Sequence, residues 1–252
     1  MYHTLIFKPL YNGLVGIMDL IPWIDVGIAV IIFTVIVKLI LFPLSKSSLL
    51  TQVRMKEIEP EVNKIKAQYS KDRQVQAMKI MELYKERNIK PFSGILLLLI
   101  QLPILFALIS VFYKIIPEVN PQFLYSFISA PDITNKTLFL GFIDLTQKSL
   151  ILSLATGIIQ YLQLYFSPAM RQQGKTIQAA GDPTDFQSQL ASSMNKQMKI
   201  FLPILAFAST YWIIPFQFPQ AASIIAIYWS TSTLFTLAQE LFIRKKYMKG
   251  IQ

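Results

Sequence analysis

The stretch VGIAVIIFTVIVKLILFPL, residues 26–44, decides the fold. A helix needs about 17 to 25 mostly apolar residues to cross ~30 Å of hydrocarbon at ~1.5 Å rise each. Here only Thr34 and Lys38 interrupt the apolar run, so the segment reads as a membrane span. Four more runs follow: 95–116, broken by Gln101 and Pro103; 149–167, carrying Ser153, Thr156, Gln160 and Gln163; 200–215; and 220–243, rich in hydroxyls. The prediction is an all-α polytopic membrane protein with five transmembrane helices, a cytoplasmic helical hairpin and a hydrophilic groove, built as one domain over residues 1–252.

Composition agrees. Of 252 residues, 53% are hydrophobic and 15% charged, with a mean hydropathy of +0.45. Soluble domains carry about a quarter charged residues. The net charge of +10 points to nucleic acid or an anionic membrane surface, and the apolar excess favours the membrane. With no Cys and one His, disulfides, thiolate zinc sites and Cys nucleophiles are excluded, and no cofactor or metal is expected. Residues 1–24 lack an apolar run of spanning length and the pattern of a secretory signal. They read as an interfacial amphipathic segment with Tyr2, Phe7, Tyr11 and Trp23 at headgroup depth.

Charge sets the orientation. Residues 45–92 hold eleven Lys and Arg against six acids, residues 168–199 four against two, and the tail 244–252 four against none. Residues 1–24 are neutral and 117–148 carry two bases against three acids. The positive-inside rule then places both basic loops and the C-terminus in the cytoplasm and the N-terminus outside. Within 45–92, Val62, Ile65 and Tyr69 recur at helical spacing, a break falls at Ser70–Asp72, and Val75, Met78 and Met81 resume. Pro60 starts or kinks the first helix and Asp72 suits an N-cap, which together predict a helical hairpin. The loop 168–199 is rich in Gln, Ser and Gly, with a turn at Gly181-Asp-Pro183, and no internal repeat is visible.

Lys38 is the sharpest chemical feature. A lysine at mid-span costs roughly 2.5 to 3.5 kcal/mol on insertion scales. It either snorkels to the near cytoplasmic end or faces a hydrated cavity, with Thr34 and Ser45 on the same helical face. Ser153, Thr156, Gly157, Gln160, Gln163 and Ser167 form a polar stripe on the third span, and Tyr228, Ser232, Thr236 and Gln239 another on the fifth. Such stripes also hold membrane helices together. Two of them, with Gln101 and Lys38, favour a wet groove. The ionisable side chains of the spans are otherwise Lys114 and Glu240, at span ends, so no catalytic set exists and the chain reads as a non-enzyme. His3 reads as an interfacial residue, and Asn135-Lys-Thr137 is a sequon of no weight.

These residues resemble the YidC family of membrane-protein insertases, related to mitochondrial Oxa and chloroplast Alb proteins. The likeness runs over Thr34–Lys38 with Phe42-Pro-Leu-Ser-Lys46, Arg54-Met55, Glu59-Pro60, Tyr69 and Leu83-Tyr-Lys85. It continues through Lys90-Pro-Phe-Ser-Gly94, Gln101-Leu-Pro-Ile104, Phe139-Leu-Gly141, Asp144-Leu145 and Tyr228-Trp229 with Gln239. The family's arginine is Lys38 here, its Pro-x-Gly-Leu reads Pro219-Gln-Ala-Ala222, and its Ser-Asn reads Ser230-Thr231. Lysine keeps the charge but not the bidentate fork.

The resemblance implies a short form without the large periplasmic domain, in the bacterial cell membrane. It implies a groove open to cytoplasm and lipid that accepts the polar flank of a nascent membrane protein without nucleotide hydrolysis. Groove and client contacts would come from Lys38, Thr34, Gln101, Pro103, Ser153, Thr156, Gln160, Gln163, Tyr228, Trp229 and Ser232. The implied partners are nascent clients, the ribosome or targeting factors at the cytoplasmic loops and basic tail, the Sec translocon and membrane lipids. Direct nucleic-acid recognition is not implied. The competing class is a small-solute or anion transporter or channel using the same stripes, against which the basic hairpin and the missing repeats weigh.

Overall fold

The computed structural model describes residues 2–90, 93–116, 118–166, 197 and 199–247, and these are mostly helical. Nearly all of the loop read at 168–199, with Ser167 before it and the end of the tail, lies outside the described residues. A π-helical turn, His3–Phe7, leads into α1 (Lys8–Leu20). There follow α2 (Val26–Ile40), α3 (Phe42–Glu57), α4 (Glu59–Gln68), α5 (Arg73–Glu86) and α6 (Ser93–Ile115). A strand pair, β1 (Leu138–Phe139) and β2 (Ile143–Asp144), precedes α7 (Leu150–Phe166), α8 (Lys199–Gln217) and α9 (Ala222–Tyr247).

Among the described residues, one unbroken helix, α8, is long and apolar enough to cross a membrane. The apolar stretches Leu99–Ile115 and Leu150–Phe166 are shorter. The run read as one span over 26–44 is interrupted: α2 stops at Ile40 and α3 begins at Phe42. Pro43 accounts for the interruption, because its ring nitrogen cannot donate to the Leu39 carbonyl and its ring crowds that carbonyl, whereas in the first turn of α3 the missing N–H is harmless.

The chain divides into two compact units. The first comprises Met1–Ile40, Ile100–Phe166 and Lys199–Leu237. Its core joins Tyr11, Leu14, Val15 and Met18 of α1 to Ala29, Val30 and Phe33 of α2. Leu108, Val111, Phe112 and Ile115 of α6, Ile133 and Leu145 of the 117–148 loop, and Ile224 and Ile225 of α9 complete it. The segment read as interfacial thus turns its apolar face into protein, leaving Leu20 and Trp23 at 80% and 82% exposure.

Buried Asn12 ties the loop to α1. Its Nδ2 donates to the carbonyls of Lys8 and Phe123 (2.8 Å each), and its Oδ1 accepts from the Tyr125 N–H at 2.7 Å. The Tyr11 hydroxyl accepts from the Asn120 N–H at 2.8 Å. Asp25 joins the loop to α2, with Oδ1 accepting from the Ile28 N–H (2.9 Å) and Oδ2 from the Leu140 N–H (3.2 Å). β1 and β2 pair antiparallel, Leu138 opposite Asp144, and the connecting turn puts both Leu140 (φ 53°) and Gly141 (φ 81°) in the left-handed region. Glycine takes that conformation freely, whereas leucine does so at a cost of order 1 kcal/mol.

The second unit holds Leu41–Leu99 and, from Ala238, the end of α9. Its core is small: Ile58, Val62, Leu83 and Ile89, flanked by Met55, Ile65, Ile80 and Tyr84. Pro60 sits in the first turn of α4, where its missing N–H is harmless. Asp72 caps α5, accepting from the N–H groups of Gln74 and Val75 at 3.1 Å. Arg87 donates to both Glu61 carboxylate oxygens at 2.8 and 2.9 Å, a half-exposed pair that adds little stability. Burial pushes the Tyr84 phenol above its usual range.

Gly27 carries a sharp packing test. A Cβ there would enter the ring of Phe139, which lies flush on the α2 backbone. Gly27→Ala should lower stability by about 1 to 3 kcal/mol through overpacking, and Phe139→Leu should recover most of the loss. Thermal unfolding in detergent reads both; an unchanged midpoint for Gly27→Ala would refute the contact.

Candidate functional site

Within the first unit, polar side chains from α2, α6 and α7 converge on α9, because these apolar helices offer few other partners. Lys38 is half-buried near the end of α2, and its Nζ donates to Thr236 Oγ1 at 3.3 Å. Thr236 Oγ1 in turn donates to the Ser232 carbonyl of its own helix at 2.9 Å. Among the described residues no carboxylate lies within ion-pair distance of Lys38. Gln101 Nε2 of α6 donates to the Tyr228 hydroxyl at 3.4 Å, and the Tyr228 ring tilts against Phe112 at 5.8 Å between centroids. Pro103 lies two residues on, inside α6.

The stripe on α7 is paired with α9. Thr156 Oγ1 lies 3.0 Å from Ser230 Oγ, 3.3 Å from the Ala226 carbonyl and 2.8 Å from its own Leu152 carbonyl. Trp229 Nε1 donates to Gln160 Oε1 at 3.1 Å, and Gln160 Nε2 donates to Gln163 Oε1 at 2.8 Å. Ser153 is buried on the same side of α7. Gly157 lets α8 approach closely: a Cβ there would stand 3.2 Å from the Pro203 carbonyl and from Phe207 Cβ. The arrangement of Thr156, Gln160, Trp229 and Ser230 is therefore an interhelical clasp.

Thr34 is buried, and its hydroxyl donates to its own Val30 carbonyl at 2.6 Å, so it places no free donor beside Lys38. Ser45 likewise donates to Leu41 at 3.1 Å. Two α9 hydroxyls that bond outside their own helix are absent from the sequence-derived set. Ser230 meets Thr156, and Ser223 donates to the Gln147 carbonyl. Their seven-residue separation marks a second hydroxyl face on α9, the signal that would have found them.

The unit is also polarised. On α2, Val26, Ala29, Val30 and Phe33 are buried and Lys38 follows. On α9, residues 222–228 are buried and Trp229, Ser232 and Thr236 follow. On α6, Gln101 precedes the buried Ala107, Leu108, Val111 and Phe112. One end is closely packed, its few polar groups buried; Lys38, Gln101, Ser232 and Thr236 lie half-buried toward the other.

Apolar helices joined through buried hydroxyls and half-buried amide and indole groups fit the class of helical integral membrane proteins. The profile of the family described as 60Kd inner membrane protein matches residues 17–250, and the chain belongs to that family, the YidC/Oxa group of inner-membrane proteins. The chain is 31% identical over 225 residues to a membrane protein insertase YidC of Dinoroseobacter shibae, covering 88% of this chain and 34% of that one. It is 30% identical over 220 residues to the protein of that name from Fusobacterium nucleatum subsp. nucleatum, covering 87% and 86%. With the one from Clostridium tetani the figures are 32% over 228 residues, covering 90% and 86%. The chain thus spans about a third of the first relative and most of the other two.

The clasp predicts a modest cost. Thr156→Val keeps shape and removes the hydroxyl shared with Ser230. Unfolding in mixed micelles should show a loss near ~0.6 kcal/mol and no more than ~1.7, the range for polar pairs between membrane helices. No measurable loss would mean that these hydroxyls do not hold α7 to α9.

Proposed function

We propose that the protein is a membrane protein insertase that passes the polar flank of a nascent segment through a hydrophilic groove beside Lys38 while the apolar part moves into lipid. The observation that carries this reading is Lys38 itself: a cation on an apolar helix, held by a hydroxyl at 3.3 Å and by no carboxylate among the described residues. A hydroxyl partner satisfies one N–H without neutralising the charge, so the ammonium keeps its attraction for an arriving anion. The names of the 30–32% identical relatives support the same reading.

In this proposal the apolar regions of α2, α6, α7, α8 and α9 form five spans, with the N-terminus outside and the C-terminus in the cytoplasm. α4 and α5 form a cytoplasmic hairpin that, with the basic tail, meets ribosome or targeting factors, and the Sec translocon is a candidate partner. The packed end of the first unit faces outward and blocks water and ions. The polar end faces inward, so the client's flank is hydrated part-way across and its remaining apolar path shortens. Acidic residues of the flank are drawn to Lys38, and Gln101, Tyr228 and Ser232 offer exchangeable hydrogen bonds as it moves. Thr156, Gln160 and Trp229, already paired, keep α7 and α9 together during passage. No step requires nucleotide.

Insertion into proteoliposomes of clients with graded acidic residues in the translocated tail tests the proposal. Lys38→Gln should lower insertion of the most acidic client about tenfold, equivalent to ~1.4 kcal/mol. That lies between the ~1 kcal/mol of an ion pair at 4 Å in water and the ~4 kcal/mol at an effective dielectric constant of ~20. The defect should shrink as tail acids are removed, and Lys38→Arg should stay active. Equal activity of wild type and Lys38→Gln across the series would overturn the role given to the charge.

A further inference from the structure

The second unit contains a basic cleft of about 360 Å³, separate from the Lys38 site, between the start of α3 and the segment after α5. Lys46, Arg54 and Lys90 line it together with Thr51, Asn88 and Leu50, and no acidic side chain does. Arg54 and Lys90 are exposed, whereas Thr51 is buried at 9%. The α5 terminus fixes the geometry. Asn88 sits at φ 50°, its N–H reaching the Lys85 carbonyl at 3.1 Å and the Ile89 N–H reaching the Tyr84 carbonyl at 2.8 Å. This paired closure is a stable helix ending, and asparagine tolerates the left-handed conformation. Ile89 is pinned into the Ile58–Val62–Leu83 core, which sets its neighbours Asn88 and Lys90 at the cleft.

We propose that this cleft binds the phosphate headgroup of an anionic phospholipid in the cytoplasmic leaflet. The chemistry is a fork-shaped guanidinium and an ammonium for phosphate oxygens, a hydroxyl and an amide for the ester and glycerol oxygens, and Leu50 for the first methylenes. Chain position supplies the membrane. Lys46 lies just past the run read at 26–44 and Lys90 just before the one read at 95–116, so in the proposed topology the cleft residues fall where the chain leaves the bilayer. Basic groups at that depth gain about 1 kcal/mol each from an anionic leaflet. A bound headgroup would hold the base of the α4–α5 pair at the membrane surface. The assignment to that leaflet rests on the proposed topology.

Native mass spectrometry of the full chain in detergent, titrated with phosphatidylglycerol or phosphatidylcholine, tests the site. Wild type should retain phosphatidylglycerol over phosphatidylcholine. Arg54→Gln with Lys90→Gln should weaken that retention about thirtyfold, the effect of two cations at about 1 kcal/mol each. Arg54→Lys with Lys90→Arg should keep it, which separates loss of charge from loss of fold. Lys64→Gln with Lys71→Gln, removing the same charge from exposed positions elsewhere in the unit, should leave it unchanged. Equal weakening in both neutralised pairs, or no preference in wild type, would overturn the site. Displacement by inorganic phosphate at the lipid's own concentration would overturn the lipid assignment in favour of a free anion. The topology is read separately, by impermeant labelling of Gln76→Cys in the Cys-free chain. Labelling from outside intact cells would sink the orientation and leave the lipid-binding result standing.

Discussion

The fold of the first unit depends on where its buried polar side chains find partners. In hydrocarbon an unpaired amide or hydroxyl has no water to turn to, so such groups on spans are paired or face a wet space. α9 supplies the partners: Tyr228 to α6, Trp229 and Ser230 to α7, Thr236 to α2. Four bonds worth well under 2 kcal/mol each would not by themselves stabilise a bundle. They select one: rotating α9 by a single residue would strand most of them at once, whereas apolar contacts would tolerate the slip. The Gly157 contact with α8 adds a steric version of the same selection.

That constraint is uneven along the unit. Tyr11, Phe112, Ile133, Leu145 and Ile224 are fully buried at one end, whereas Lys38, Gln101 and Ser232 remain half-buried toward the other. In the proposed orientation this makes the outer half a seal and the inner half a place where hydrogen bonds can be exchanged. Gln101 to Tyr228, at 3.4 Å, and Lys38 to Thr236, at 3.3 Å, are the longest of the four clasps, while Thr156 to Ser230 is 3.0 Å. Long, imperfect bonds are the cheapest to give up to a client, and the shorter clasp keeps α7 and α9 joined meanwhile.

The positions of several helices were legible in the sequence because apolar length is a local signal. The limits of α6, α7 and α8 lie within a few residues of the runs at 95–116, 149–167 and 200–215. The interruption at Leu41 was foreshadowed by Pro43, yet an uninterrupted apolar composition masked it. The burial of α1 was not legible, because a hydrophobic stripe reads the same whether lipid or protein covers it. Tyr11 and Asn12 gain their meaning from Asn120 and Phe123, more than a hundred residues away. At the site, periodicity singled out Thr156, Gln160 and Tyr228, and the family resemblance added Trp229, but pairing is tertiary. The structure joins Gln160 to Trp229 and Thr156 to Ser230, and satisfies Thr34 within its own helix, which no spacing rule distinguishes from exposure to a groove.

In the proposed mechanism the polar end of α9 receives the client while the packed end stays sealed. Site-specific photocrosslinking of a ribosome-stalled client tests this, with a photoreactive side chain placed in turn at Ser232 and at Ser223, the buried hydroxyl of the packed end that bonds Gln147. The account predicts adducts to the client's polar flank from position 232 and none from 223. Adducts of equal yield from both positions, or from 223 alone, would contradict it.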